Sequence, residues 1–355
     1  MRRWFRFRLR TLLIATLLAA VAVWLGYNYR RVAVQREAVA ELESAGARIQ
    51  YDYQFDESGG FRFGGEPPGP QWLRDLLGVD YFAAPVEVYG GGSMVDDQLA
   101  PLASLPTVRR LAVNSPDVTG KSLVHVARLP RIKALSLSNT GIRDDELEYL
   151  AAIPSLQELT LSRTGIGDGA IDEIAALPRL TRLDLSDTNV GDVGLKRLGR
   201  ATQLESLDLM WARVTDGGLA GLRPLKRLRE LRLNGSRLTN AGMVEIAALP
   251  QLERLDIGNT MVSGEGLAVL AELKQLEWLS LAGTQIDSRG LESLAAAPKL
   301  ETLVLDYTKV DTEAIASLKR FPALKELSLR QTEIRSEQLF QVETSLPGVR
   351  VEMGP

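Results

Sequence analysis

The chain lacks cysteine altogether, has one histidine in 355 residues, is only 6% aromatic and carries a formal net charge of -3. Without cysteine there is no disulfide, no thiolate nucleophile and no Cys-ligated zinc, and the redox character of the compartment leaves no trace. His125 has no second histidine or cysteine to complete a metal site. Ser122 lies one helical turn from it, but a working Ser–His pair also needs a cleft and an orienting acid. Near-balanced charge gives no electrostatic footprint for nucleic acid. Phosphate-cradling loops are missing too. Gly165-Ile166-Gly167-Asp168-Gly169 has no doubly wound pattern around it, and Gly90-Gly91-Gly92 has no Lys-Ser or Lys-Thr behind it. The chain therefore reads as a non-enzyme that needs no metal or cofactor.

What is present is a folded composition, 45% hydrophobic and 25% charged. Arg2, Arg3, Arg6, Arg8 and Arg10 precede an uncharged stretch from Thr11 to Tyr29. At about 1.5 Å per residue this stretch crosses a hydrocarbon core of roughly 30 Å. Trp24, Tyr27 and Tyr29 lie at its far end, where aromatic rings favour the lipid–water boundary. Fewer arginines follow (Arg30, Arg31, Arg36), so the positive-inside rule keeps residues 1–10 cytoplasmic and exports the rest. Ala20-Val21-Ala22 fits a signal-peptidase site and Arg2-Arg3-Trp4-Phe5 a twin-arginine address. Continued apolar residues followed by Arg30-Arg31 favour an uncleaved single-pass anchor.

Residues 30–46 place Val32, Val39 and Leu42 at helical spacing before Gly46, which predicts a juxtamembrane helix. Residues 47–83 are predicted to cap the array: a hairpin of Ala47–Phe55 with Phe61–Phe63, then a small amphipathic helix carrying Trp72, Leu73, Leu76 and Leu77.

From Val108 the sequence repeats every 24 residues, with blocks opening at Val108, Ile132, Leu156, Leu180, Leu204, Leu228, Leu252, Leu276, Leu300 and Leu324. Counting each opening residue as slot one, slot four is leucine in every block, from Leu111 to Leu327, and slot six is apolar throughout. That alternation is a strand with one face inward. Slots 16 and 19 (Leu147 and Leu150, Leu195 and Leu198, Leu267 and Leu270) have the spacing of a helix burying one stripe. Slot nine is usually threonine (Thr140, Thr164, Thr188), whose hydroxyl is expected to bond the neighbouring turn in a ladder along the array. Slot 13 (Asp144, Asp168, Asp192, Asp216) is expected to supply helix N-caps. A looser block precedes these around Val86, Val88, Met94, Leu99 and Leu102.

The pattern LxxLxLxxTxIxDxGLxxL resembles a leucine-rich repeat in the strand-plus-helix style of F-box-type and bacterial effector proteins. With its arginine-rich anchor, the chain is similar to membrane-anchored leucine-rich-repeat proteins of bacteria. The resemblance implies an α/β horseshoe solenoid over 84–355, with a parallel concave sheet and helices on the convex side, held at the cytoplasmic membrane. It implies binding of a protein partner. The alternatives are a sugar chain as ligand, a self-associating envelope protein, and a ubiquitin-ligase-type adaptor, which the absence of an F-box-like segment disfavours.

The concave sheet is where such arrays bind. Trp211 and Tyr307 at slot eight and Trp278 at slot three stand out, because nothing in the repeat requires large rings there. Slot eight between the two reads Gly235, Asn259, Gly283, which predicts a trough about 19 Å long bordered by Met210 and Asp306. Asp184 beside Asp208 at slot five is the one like-charged neighbour pair, suited to a cation or a partner's basic side chain. Elsewhere opposite charges alternate: Glu158 beside Arg182, Glu230 beside Arg254, and Arg232 between Asp208 and Asp256.

Overall fold

The computed structural model describes residues 2–56, 60–62, 64–294 and 297–353, so the expected turn at 57–59 and Phe63 lie outside the described residues. Arg2–Ser44 form one helix, α1. It is rich in leucine, alanine and arginine and has no proline, so nothing interrupts it before Gly46. There Gly46 takes φ +88. Its amide donates to Glu43 O at 2.9 Å while the Ala47 amide donates to Leu42 O at 2.9 Å, the two-bond glycine stop. The expected span and juxtamembrane helix are thus a single rod. From Thr11 onward it is long and apolar enough to cross a membrane by length and composition. Leu12, Leu13, Ile14, Leu17 and Leu18 stand exposed. At the other end Ala38, Val39 and Leu42 are buried in the same core as the repeats. The tail of α1 therefore closes the open end of the array, which residues 47–83 were expected to do alone.

Strand β1 (Arg48–Tyr51) runs antiparallel to β2 (Pro85–Gly90), with Ile49 opposite Val88. The expected hairpin is reduced to one bridge between Phe55 and Phe61, because the first arm leaves the extended conformation in a 3-10 turn at Asp52–Gln54. Helix α2 spans Gln71–Leu77. From β2 onward the strands are parallel: β3 (Arg110–Val113), β4 (Ala134–Ser136), β5 (Glu158–Thr160), β6 (Arg182–Asp184), β7 (Ser206–Asp208) and β8 (Glu230–Arg232). They continue with β9 (Arg254–Asp256), β10 (Trp278–Ser280), β11 (Thr302–Val304), β12 (Glu326–Ser328) and β13 (Arg350–Glu352). All pair in chain order in one sheet.

Slot-four leucines face one another strand by strand, as in Leu159, Leu183 and Leu207. They are buried with slots six, 16 and 19 in one continuous spine; Leu183 is 2% exposed and Leu231 fully covered. The helical segments opposite the sheet are short and mixed in type, with an α-helix at Asp192–Leu198 and 3-10 segments at Gly264–Glu272 and Glu148–Ala152. A 24-residue repeat leaves little chain for them once strand and turns are made.

Two structural readings are corrected by the hydrogen bonds. The slot-nine hydroxyls do not bridge repeats. Thr140, Thr164 and Thr188 donate to the slot-six carbonyls of their own turns (Leu137, Leu161, Leu185) at 2.6–2.7 Å, because the turn brings that carbonyl back over them. The slot-13 acids do bridge repeats, and they do not cap their own helices. Asp192 Oδ1 accepts from the Thr215 amide at 2.8 Å and Oδ2 from the Thr215 hydroxyl at 2.6 Å. Asp216 holds Thr239 in the same way, at 2.9 and 2.6 Å. Asp144 and Asp168 accept from the amides of Gly167 and Gly191. The cap is the slot-12 residue: Thr215 Oγ1 accepts from the Gly217 amide at 3.2 Å. Asp144, Asp168 and Asp192 thus each fasten the N-cap residue of the next helical segment, and Asp96 in the looser first block does so for Thr119.

Candidate functional site

The residues singled out on the concave side separate into a rim and two hollows. Slot eight lies just beyond each strand, where the chain turns with a left-handed backbone. Asn139, Arg163, Asp187, Trp211, Asn259, Tyr307 and Gln331 have φ between 51° and 58°, and Gly235 and Gly283 have φ of 73° and 66°. The slot-eight amide donates to the slot-seven carbonyl of the following repeat, Trp211 to Asn234 O and Tyr307 to Arg330 O at 2.8 Å each. Glycine, asparagine and aspartate recur in this column because they tolerate that conformation. Gly235, Asn259 and Gly283 are therefore turn residues, and the column is a rim of the sheet where a trough had been expected. The Trp211 ring also lies across one end of it: a Cβ on Gly235 would fall 2.4 Å from Trp211 Cε3.

Trp211 and Tyr307 remain 58% and 68% exposed. Trp278 is elsewhere, at the start of β10 on the sheet face. It is half-buried, with the Arg254 guanidinium 4.8 Å above its ring centroid. The three rings thus occupy opposite margins of the concave sheet. Trp278 shares a hollow of about 300 Å³ with Thr302, Val304, Asp306, Arg330 and Arg350. Asp306 is tied down there, its Oδ1 accepting from Ser328 Oγ at 2.6 Å and the Arg330 amide at 2.9 Å.

A second hollow, of about 210 Å³, lies over β5–β8 and is lined by Glu158, Arg182, Asp184, Asp208, Glu230 and Arg232 among others. Asp184 and Asp208 are directly opposed in the ladder. Each turns one oxygen back onto its own chain. Asp184 Oδ1 accepts from the Ser186 amide and hydroxyl at 2.9 and 2.6 Å, and Asp208 Oδ1 from the Met210 amide at 2.9 Å. These are Asx turns that end the strand, and they orient the half-buried Met210. Burial pushes the Asp208 carboxyl above its ordinary value and the Asp184 charge adds to the effect, against the Met210 amide and Arg232. Arg232 reaches Asp208 at 3.5 Å and Glu230 at 2.7 Å. Arg182 pairs with Glu158 at 2.5 Å, and Arg110 reaches the same carboxylate at 3.1 Å. Among the described residues no group of three or more His, Cys, Asp or Glu is placed to hold a metal ion.

The structure thus joins Asp184 with Asp208, and Trp278 with Asp306, while Trp211, Tyr307 and Met210 line neither hollow. Sequence reasoning paired Arg254 with Glu230 and did not place it over Trp278, and it did not bring Arg330 and Arg350 to that ring. Their slots, three and seven, were visible, but which neighbours they turn toward depends on rotamers.

The profile of the leucine-rich repeat region matches residues 92–346. An internalin from Listeria monocytogenes superposes with a TM-score of 0.52 at 20% identity, covering 75% of this chain and 86% of that one. A leucine-rich-repeat protein of Leptospira interrogans superposes with a TM-score of 0.55 at 17% identity, covering 71% and 68%. At these identities the likeness is one of fold. A comparison with curated proteins by sequence finds no match. The parallel sheet in chain order, the leucine spine and a profile match over most of the chain lead to one assignment: the protein belongs to the leucine-rich-repeat family.

Proposed function

We propose that this chain is a non-catalytic binding module tethered by residues 11–29 to the cytoplasmic membrane of a bacterium, with residues 1–10 in the cytoplasm and the solenoid outside. Its concave side, with Trp211 and Tyr307 on the rim and Trp278 on the face, engages a protein partner. The observation that carries this reading is the cost of the two rim rings. A bulky L-residue in the left-handed region gives up about 1–2 kcal/mol. Trp211 and Tyr307 sit at φ 58° and 56° and leave most of their apolar surface in water. Folding regains little from that placement, whereas a partner that covers the rings regains it as buried area. The acidic hollow beside Arg232 adds a place for a partner's basic side chain.

Photo-crosslinking from positions 211 and 307 in intact cells tests the reading, with Val193 on the convex side as control. A discrete adduct from the rim and none from Val193 is expected. Adducts of equal yield from both faces would refute the site. An adduct with a second copy of the chain would move the function to self-association through the envelope. A reporter fused after Pro355 that is active only outside the cytoplasm checks the sidedness.

A further inference from the structure

We propose that helix α2 rests in the lipid headgroup layer, with Trp72 and Leu76 inserted between lipids, so that the solenoid touches the membrane at a second point. This rests on the reading that residues 11–29 span the bilayer.

The first observation is where the folded body meets α1. Gln35 Nε2 donates to the carbonyls of Asp80 and Ala83 at 3.3 and 3.2 Å. Arg36 donates to the Leu77 carbonyl, the last residue of α2, and pairs with Asp80 at 3.6 Å. Tyr51 OH closes the cluster on Asp80 Oδ1 at 2.9 Å. Val32, one turn nearer the span, is only 4% exposed, whereas Val34 on the free side of the helix is 50% exposed. A helix cannot bury its own side chain to that degree, so the body packs at least as far down as Val32. At about 1.5 Å per residue, Val32 lies roughly 5 Å beyond Tyr29, and Arg36 roughly 10 Å. The headgroup layer on each side of the hydrocarbon is about 5–7 Å deep. The edge of the body therefore lies at headgroup level.

The second observation is what that edge presents. Trp72 and Leu76, four residues apart on one face of α2, are 67% and 73% exposed, and Phe61 beside the cap is exposed too. The opposite face, Leu73 and Leu77, is half-buried against the body. A large ring and a leucine on a short helix fixed next to a membrane-crossing segment have the chemistry of an interfacial contact. Arg30 and Arg31, exposed on α1 at the same level, suit anionic headgroups.

Because the native chain has no cysteine, single-cysteine variants of the full protein label at one position only. W72C, L76C, L17C and V193C, each carrying an NBD fluorophore, are reconstituted in phosphatidylethanolamine–phosphatidylglycerol nanodiscs with nitroxide lipids of shallow or deep position. The expected result is deep quenching at 17, water-like emission at 193, and blue-shifted emission at 72 and 76. Shallow-nitroxide quenching at 72 and 76 should exceed that at 193 by at least about twofold. Quenching at 17 with water-like emission at both 72 and 76 overturns the headgroup contact and leaves the anchor standing. No quenching at 17 overturns the anchor and this contact with it. A blue shift at 72 and 76 insensitive to nitroxide lipid assigns the face to a protein partner or a second copy, and also overturns the proposal.

Discussion

Replacing Asp192 with alanine should unfasten one repeat from the next. The carboxylate accepts two hydrogen bonds, from the amide and the hydroxyl of Thr215, and Thr215 in turn caps the helix that begins at Asp216. Hydrogen bonds to a charged acceptor contribute about 1.5–3 kcal/mol each. Asp192 is half-buried and the threonine hydroxyl can turn to water, so the low end applies. The expected loss for Asp192→Ala is about 2–3 kcal/mol. Asp192→Asn should cost under about 1 kcal/mol, since one acceptor oxygen remains and only charge assistance is lost. The protein contains that solution two repeats further on. Asn240 Oδ1 accepts from the Ser263 amide at 2.9 Å while its Nδ2 donates to Ser263 Oγ at 2.8 Å.

The same carboxylate explains a glycine. Gly218 has an ordinary negative φ, but a Cβ there would fall 2.6 Å from Asp192 Oδ1 and 2.9 Å from Asp192 Cα. Gly218→Ala should therefore push Asp192 off Thr215, and it should cost less in the Asp192→Ala background than in the native one. Unfolding in a repeat array need not be two-state. Hydrogen exchange is therefore the suitable assay: the Thr215 amide and the helix at Asp216–Leu219 should lose protection in Asp192→Ala, with β3 and β4 unchanged. Unaltered protection at Thr215, or additive costs for the two substitutions, would refute the stapling argument.

Three further outcomes follow from the rim and the cap. Gly235→Ala meets both a left-handed backbone, φ +73°, and the Trp211 ring. It should destabilise by about 1–3 kcal/mol, with only the steric part relieved by Trp211→Ala in a double-mutant cycle. Tyr307→Asn should stabilise its turn by about 1 kcal/mol, as measured by hydrogen exchange of the amide at position 307, because asparagine tolerates φ 56° and little ring burial is lost. Its loss of partner capture would mark the ring as functional. Tyr89 is pushed up to about 12 by burial first, then by its hydrogen bond to Glu87 and the charge of that carboxylate. Its folded value lies above the ordinary 10, so the stability it contributes is whole below pH 10 and is lost as pH rises toward 12. Thermal melts of Tyr89→Phe should lack that decline.

The repeat was legible because its rules are local and periodic. Leucine at slot four can be nothing but a buried strand residue when it returns every 24 positions, and the sheet in chain order follows from that alone. The stapling acids were legible as polar helix-start residues, but not as links. Asp192 and Thr215 are distant in sequence, and only stacking shows that the oxygen reaches forward. Slot eight misled for a different reason. Gly235 and Gly283 read as small residues that leave room, while Asn139, Asp187 and Asn259 in the same column already spelled out a positive φ. Once that column is seen as left-handed, Trp211 and Tyr307 stand out through their backbone cost, a sharper sign than size. Asp96 escaped notice because the ladder pairs Val88 with Leu111, which shortens the first repeat by one residue in the strand while its acid keeps the full spacing.

The way α1 ends limits how the sheet face proposed to bind can move. Ala38, Val39 and Leu42 belong to the core that runs through the repeats, and the helix carrying them continues unbroken back through Tyr29 to Thr11. A flexible linker of a few residues would let the solenoid reorient relative to the apolar N-terminal stretch at almost no cost. Here reorientation must either bend a continuous helix or withdraw three apolar side chains from a packed interior, at about 0.8 kcal/mol per exposed methylene equivalent. The direction of the rim relative to α1 is accordingly a property of the fold. Inserting Gly-Ser-Gly after Arg31 would keep the span and the repeats intact but free that direction. If a partner is met at a fixed height and angle above the membrane, the insertion should weaken crosslinking from position 307 while leaving the stability of the repeats unchanged. Undiminished crosslinking would mean that the rod serves only to seal the end of the core.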